Sequence, residues 1–564
     1  MLRRAASICL LTAIFVAPAH AQGTSLMPGV TYEKTVEFTP RGAVVLHVLT
    51  APRPGDQNGL YQLAPVLARS TVGGGLARVT QLQKDVSNQS TVAGINGDFF
   101  KNAEPSGIFM QGGILLHPPL STRSSTGIDS AGALHVDRVK FFGTWRGTGQ
   151  RRPLNGLNET PKPGQMILFT PAYGTRTPAV PNAAEVVLQP FPATAPNADL
   201  TATVTAVASG GGTAIPADGA VLMAGGTAVA AALKTEAPVG TALTTRLILQ
   251  PAWTGVTTAI GGGPVLVRNG KPVFRSLEDF TNDQVSRRDP RAGVGQLADG
   301  RIVLVAVDGG QPGYSVGLTT FELAQTMARL GAVTASGVDS GDSVSVAFDG
   351  QLLNKPSGPA GEQQVKEALL VQYFGVYAAP PPVALVNGDP GHGSEALSYK
   401  IVRPSKVTAQ LIGPDNVARP VEAGIQHDPG SYAFTYSTFD VEGTWHWNVT
   451  ATDDLGRTST IDRPFRYDTT LRAVAAPRTA HGTAAIRFTL SRVASVRLRV
   501  ETRSGVTVRE LPPVSLQPGA RSVLWDGRLP HGSRAYGGTY VAHLFATSEV
   551  GTSDVAVPFA FRRG

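Results

Sequence analysis

From Gly29 the chain alternates apolar and polar residues in short runs, the period of half-buried strands, with Val44 to Leu49 the clearest. Leu76 to Ser87 predicts one modest helix. The apolar run Thr91-Val92-Ala93-Gly94-Ile95 enters Asn96-Gly97, a pair suited to the positive φ of a tight turn, so Asn96 and Asp98 project there and Phe99 and Phe100 anchor it. Between Gly156 and Thr258, strands are predicted at Met166 to Thr170, Glu185 to Leu188 and Thr244 to Leu249, with a structural role.

Six apolar residues in a row, Ile302 to Val307, four of them β-branched, predict a strand buried on both faces that ends in Asp308-Gly309-Gly310. Thr319 and Glu322 have capping-box spacing, and Leu323, Met327 and Leu330 repeat on one helical face until Gly331. A second short strand then leads to Asp339. Strand, helix and strand carry Asp308 and Asp339 toward one edge.

Tyr377-Ala378-Ala379-Pro380-Pro381-Pro382 is a stiff linker. Beyond it, alternating patterns at Val407 to Ile412, Tyr432 to Tyr436, Trp445 to Ala451, Ala485 to Leu490, Val496 to Glu501 and Tyr540 to Ala546 lack helical periodicity and predict two small sandwiches. The expected division is 22–377, 378–470 and 471–564, since 564 residues exceed one core.

Composition agrees with a β-rich protein: Gly 64 and Pro 42 supply frequent turns, and charge is low at 16%. Arg3 and Arg4, the apolar run Ile8 to Ala17 and Ala19-His20-Ala21 form a secretory signal peptide over 1–21, which implies a secreted or extracytoplasmic location. No later segment reaches membrane-spanning length, so no transmembrane segment is expected. Cys9, the single cysteine, leaves with the signal, so the mature chain has no disulfide or thiolate chemistry. From Leu471 onward 13 arginines face 5 acidic residues. That excess suits an anionic envelope polymer as partner, or arginines on the solvent face of strands. Nucleic acid is not expected.

Candidate chemistry gathers between Ile260 and Ser343. Gly261-Gly262-Gly263 is not a nucleotide loop, because no Lys-Ser or Lys-Thr follows and Pro264-Val265-Leu266 continues as a strand. Ser315, in Gly313-Tyr314-Ser315-Val316-Gly317, is separated from the end of its strand by the seven residues Asp308 to Tyr314, and no histidine lies between it and His392, so it is read as a polar turn residue. His47, His117 and His135 lack metal-ligand spacing. No cofactor is expected, save that a calcium ion held by Asp308, Asp339 and carbonyl oxygens stays open.

Gly94 to Phe100, Ile260 to Leu266 with Arg268-Asn269-Gly270-Lys271, Asp289-Pro290-Arg291-Ala292-Gly293-Val294-Gly295, Val307-Asp308-Gly309, Ser315-Val316-Gly317 and Asp339 to Ser343, in that order, resemble the phosphodiester glycosidase family. The resemblance runs from about Gly29 to Tyr377. Asp289 and Ala292 stand where the family has histidine and threonine, and Asp339-Ser340-Gly341-Asp342-Ser343-Val344 replaces its Asp-Gly-Gly-Gly-Ser-Ser. Leu524-Trp525-Asp526-Gly527-Arg528 and Tyr536-Gly537-Gly538-Thr539-Tyr540 are similar to the immunoglobulin-like module of flagellar hook-capping proteins. The resemblances imply an α+β catalytic domain, β-rich with few helices, followed by two all-β immunoglobulin-like sandwich domains.

The implied substrate is a sugar-1-phosphodiester or phosphodiester-linked glycan. Arg291 is then the phosphate clamp, and Asp308 and Asp339 serve as nucleophile or general base. Asn96 and Asp98 orient sugar hydroxyls, with Asp342 and Ser343 also at the substrate. Gly261, Gly262 and Gly263 bring backbone amides to phosphate oxygens. The alternative is a degenerate member that binds such glycans without cleaving them.

Overall fold

The computed structural model describes residues 23–382, 385–387, 389 and 392–563; the signal motif at 1–21, with Cys9, lies outside them. The chain divides into two compact units. The first runs to Pro54 and takes in Leu63–Gln83 and Ala93–Val371, and the second holds Gly55–Gln62, Lys84–Val92 and the chain from Gln372.

The strands and helix that position the site are β1 (Gly42–Ala51), β2 (Thr91–Asn96), β3 (Val256–Ile260), β4 (Val265–Arg268), β5 (Arg291–Leu297), β6 (Ile302–Val307), α1 (Thr320–Arg329), β7 (Ala332–Gly337), β8 (Val346–Phe348) and β9 (Glu367–Tyr373). In the main sheet they stand in the order β1, β6, β5, β7, β4, every pair antiparallel. Arg291 lies opposite Val307, and Gly293 opposite both Val305 and Gly337. Because β5 opposes both neighbours, β6 and β7 are parallel, and their C-terminal ends emerge beside the start of β5. β6 is buried throughout, as its unbroken apolar run requires.

The capping box forms at α1: Thr319 Oγ1 accepts the Glu322 N–H at 3.1 Å, and Glu322 Oε2 accepts the Thr319 N–H at 2.8 Å. Leu323, Ala324 and Met327 then pack with Leu266, Val303 and Val305. Burying one such Leu or Met contributes about 1.5–3 kcal/mol, so this face holds the helix to the sheet.

In a second sheet β2 lies between β8 and β9, with Ile95 opposite Val346. The tight turn expected at Asn96-Gly97 does not form, since neither residue has a positive φ. Gly97 is small for another reason. A Cβ there would lie 2.7 Å from Cγ of Glu367 on β9.

The strands expected in the middle of the chain form as Met166–Phe169, Ala179–Leu188 and Ala242–Gln250, within one eight-stranded sheet. The helix Thr227–Glu236 escapes the sequence pattern because it buries only Ala230 and Leu233. The helix expected over Leu76 to Ser87 is Val79–Asp85.

The second unit holds two all-β sandwiches. In the first, Trp445, Trp447, Tyr399 and Leu411 are buried; in the second, Trp525, Leu498, Leu544 and Phe561 are. Their strands alternate buried and half-buried residues, as in Trp445 to Ala451 and Ala494–Thr502. Part of the terminal arginine excess is spent internally, since Arg492, Arg497 and Arg499 pair with Glu442, Glu510 and Glu501. No helix among the described residues is long and apolar enough to cross a membrane.

Candidate active site

Backbone bonds bring four segments together at the edge where β6 and β7 end. Asp308 donates its N–H to Val45 O at 3.0 Å, Val338 to Ala292 O at 3.1 Å, Gly341 to Pro290 O at 3.0 Å and Asp339 to Gly97 O at 3.0 Å. The loop after β7 is thus held between the start of β5 and the end of β2. Asn96 completes the joint, donating Nδ2–H to Asp339 O at 2.9 Å and accepting the Ser345 N–H at 3.2 Å. Asn96 is fully buried and has both ends engaged, so it positions backbone and does not present an amide to a sugar.

Asp98 and Asp339 converge on this joint. Asp339 Oδ1 accepts the Ser340 N–H at 2.8 Å, and Asp98 Oδ1 accepts the Phe99 N–H at 2.7 Å. Asp98 Oδ2 is buried without a partner, as are both carboxyl oxygens of Glu367 behind it. Burial pushes the Asp98 carboxyl up to about 7, the charge of Asp339 adding to the rise while the Phe99 N–H and Arg123 oppose it. Burial takes Asp339 up to about 6, against hydrogen bonds from Ser343 and Ser340 and the charge of Arg123. Burial, then the charge of Asp98, holds Glu367 well above the ordinary carboxylate range. Two carboxyls poised near neutrality in one place can act as acid and base.

A narrow crevice over Asp98, too tight to hold a water molecule, is lined by Ser106, Arg123, Gly261 and Gly262. It adjoins a second hollow lined by Phe99, Gly263, Phe280, Arg291 and Ser340. Arg123 lies with its guanidinium carbon 4.7 Å from the Phe99 ring centroid and 4.1 Å from that of Phe280.

Three expected roles need correction. Arg291, the expected phosphate clamp, is buried and has a partner on every nitrogen: Leu318 O at 3.0 Å, Ser340 Oγ at 3.2 Å and Arg287 O at 2.8 Å. It braces the loop after β7. Asp308, the expected nucleophile or base, is the hub of a separate buried network. His47 Nε2 lies 3.0 Å from Oδ2, Tyr314 O–H donates to Oδ2 at 2.9 Å, and Asn354 Nδ2–H donates to Oδ1 at 3.0 Å. Burial would raise Asp308, but the bonds to His47, Asn354 and Tyr314 outweigh it and hold the carboxyl below its ordinary value. Its oxygens face N–H and O–H donors, the wrong setting for a calcium ligand. Among the described residues no group of three His, Cys, Asp or Glu side chains is arranged to hold a metal. Gly263 gives its N–H to Gly337 O at 2.9 Å, so that amide is not offered to a phosphate. Asp342 is exposed and accepts the Ser357 hydroxyl at 2.5 Å. Ser343 remains with Asp339.

Ser315 is the buried turn residue expected, its Oγ donating to Asp308 O at 2.5 Å and accepting the Val45 N–H at 3.0 Å. His47, Arg123 and Glu367 were invisible as site residues. Each meets its partner across more than 20 positions of chain, and none sits in a patterned motif; only the glycines packed against Asp98 and Glu367 marked the place.

Residues 195–372 match the model of the phosphodiester glycosidase family. Gly261, Gly262, Asp339 and Glu367 lie inside that segment, and Asn96, Asp98 and Arg123 precede it. An uncharacterized SPbeta prophage-derived protein of Bacillus subtilis (strain 168) is 29% identical over 119 residues, which are 21% of this chain and 18% of the relative. A hypothetical protein from Synechocystis has the same fold, with a TM-score of 0.51 at 25% identity over 61% of this chain and 62% of that one. The chain therefore spans less than two thirds of either. The catalytic domain of zebrafish N-acetylglucosamine-1-phosphodiester alpha-N-acetylglucosaminidase, auto-inhibited by its pro-peptide, aligns with a TM-score of 0.34 at 12% identity, over 63% of this chain and 85% of that one. Residues 195–372, which include Asp339, thus carry the sequence pattern of a phosphodiester glycosidase domain.

Proposed function

We propose that the protein is an exported hydrolase that splits the bond between the anomeric carbon and the phosphate oxygen of a sugar-1-phosphodiester in envelope or extracellular glycans. The observation that carries this reading is the pair Asp98 and Asp339, buried together and titrating near neutrality at the joint of the family segment with β2. Export follows from the signal motif at 1–21.

A phosphomonoester leaving group is a weak base, so the reaction needs less acid help than ordinary glycoside cleavage. It needs a carboxylate at the anomeric carbon or on the attacking water. Asp339, whose carboxylate Ser340 and Ser343 hydrogen-bond, takes that part. Asp98 keeps a proton for part of the population at pH 7 and supplies it to the departing oxygen or a sugar hydroxyl.

A sugar-1-phosphodiester bearing a chromogenic alcohol, assayed with added phosphatase, tests the reading. Turnover by the wild type, lost on the order of 100-fold or more in Asp339→Asn, is the expected result for a general base or nucleophile. The binding-only alternative is favoured by Arg291, whose every nitrogen is engaged, and by Asp289 in the place of the family histidine. Binding of the substrate with no turnover would establish it and refute the hydrolase.

A further inference from the structure

We propose that Arg123 forms an anion subsite that takes the phosphate group of a phosphate ester at the mouth of the Asp98 cleft. Its place in the reaction rests on the function proposed above; its existence as a phosphate site does not.

The side chain is built to hold still. Its guanidinium lies against both Phe99 and Phe280, whose ring centroids are 5.7 Å apart, so two cation–π contacts hold it. Nε–H donates to Asp279 O at 3.0 Å, which fixes the plane of the group. Nη1 and Nη2 have no hydrogen-bond partner among the described residues, and no carboxylate there lies within ion-pairing distance of Arg123. A clamped arginine with its two outer nitrogens open presents the fork that matches two oxygens of a phosphate.

The surroundings favour the same class of ligand. Arg123 shares its cleft with Asp98, Ser106, Ser124 and Gly262, and its charge already acts on both Asp98 and Asp339. Ser124 itself is pinned, its N–H and hydroxyl donating to Glu278 at 2.6 and 3.0 Å, so the wall that carries Arg123 is rigid. Arg291 is committed to bracing the loop after β7, through bonds to Leu318 O, Ser340 Oγ and Arg287 O.

Calorimetric titration of the full chain with inorganic phosphate and with methyl phosphate tests the subsite, run on wild type, Arg123→Gln and Arg123→Lys. The wild type is expected to bind both, Arg123→Gln to bind at least 10-fold more weakly, and Arg123→Lys to fall between, keeping the charge but losing the fork. Equal affinity in wild type and Arg123→Gln, or no binding by the wild type, overturns the subsite. If Arg123→Gln fails to melt cooperatively, Arg123→Lys decides, and unchanged affinity there overturns it. Phosphate binding that depends on Arg123 in a protein without turnover leaves the subsite standing and removes the hydrolase. Turnover with an unchanged KM in Arg123→Gln does the reverse.

Discussion

Asp98 and Gly261 lie so close that a Cβ on the glycine would come within 2.0 Å of Oδ2 of the aspartate. The same Cβ would come within 2.8 Å of the Cα of Gly107, a backbone atom that cannot yield cheaply. Gly261→Ala is expected to push the Asp98 carboxyl from its seat, costing about 1–3 kcal/mol as overpacking does. Urea denaturation measures that loss. In the native protein kcat should fall more than KM rises, and unchanged kcat would show that the seat of Asp98 does not matter.

The raised carboxyls set a pH dependence of stability. A group whose folded value lies above its unfolded one stabilises fully below the unfolded value, near 3.8 for Asp98 and Asp339, and loses that contribution as pH rises through the folded value. Wild-type stability should therefore decline between pH 4 and pH 8 by about 1–3 kcal/mol per carboxyl. Asp98→Asn should flatten the decline. Thermal melts across that range check both.

Glu367 gives the same sign without touching the cleft. Its two carboxyl oxygens are buried and unpartnered, and it remains protonated well above the ordinary range. Glu367→Gln removes the cost of ionising it, so the variant should melt higher than wild type at pH 8 and about equally at pH 4. The pH–rate profile should also move, because Asp98 loses a coupled neighbour. An unmoved profile would restrict Glu367 to packing.

The Asp308 network predicts a loss of stability before a loss of chemistry. His47 Nδ1 lies 2.7 Å from the Tyr32 hydroxyl and Nε2 3.0 Å from Asp308, so His47→Ala removes the closest partner of the hydroxyl, one partner of the buried carboxylate, and the ring packed between them. The cost should be about 2–4 kcal/mol in denaturant melts. Asp308, held below its ordinary value, contributes stability above that value and loses it as pH falls through the depressed one, so acid denaturation should begin earlier in His47→Ala.

The legible parts of the fold were those that local chemistry decides. The apolar run Ile302–Val307 and the capping pair Thr319 and Glu322 each stand within a few residues, and both formed as read. The convergence of Asp308 and Asp339 at one sheet edge also followed from strand, helix and strand. What that reading could not show was which side of the edge each carboxyl faces: Asp308 turns inward to His47, 261 positions away, and Asp339 turns to Asp98. Asn96-Gly97 misled because a glycine required by crowding against Glu367 reads the same as one required by a turn. Arg123 left no signal, since its clamp is made by Phe280, 157 positions later.

The C-terminal ends of β6 and β7 and the start of β5 open onto one rim, while the strands behind them are packed with Val, Ile, Leu and Ala. Asp289, Ser340, Asp342 and Ser343 all sit on that rim, outside the apolar floor. A side chain changed there disturbs the packed interior less than one changed in the strands, so the rim is where this scaffold has room to vary.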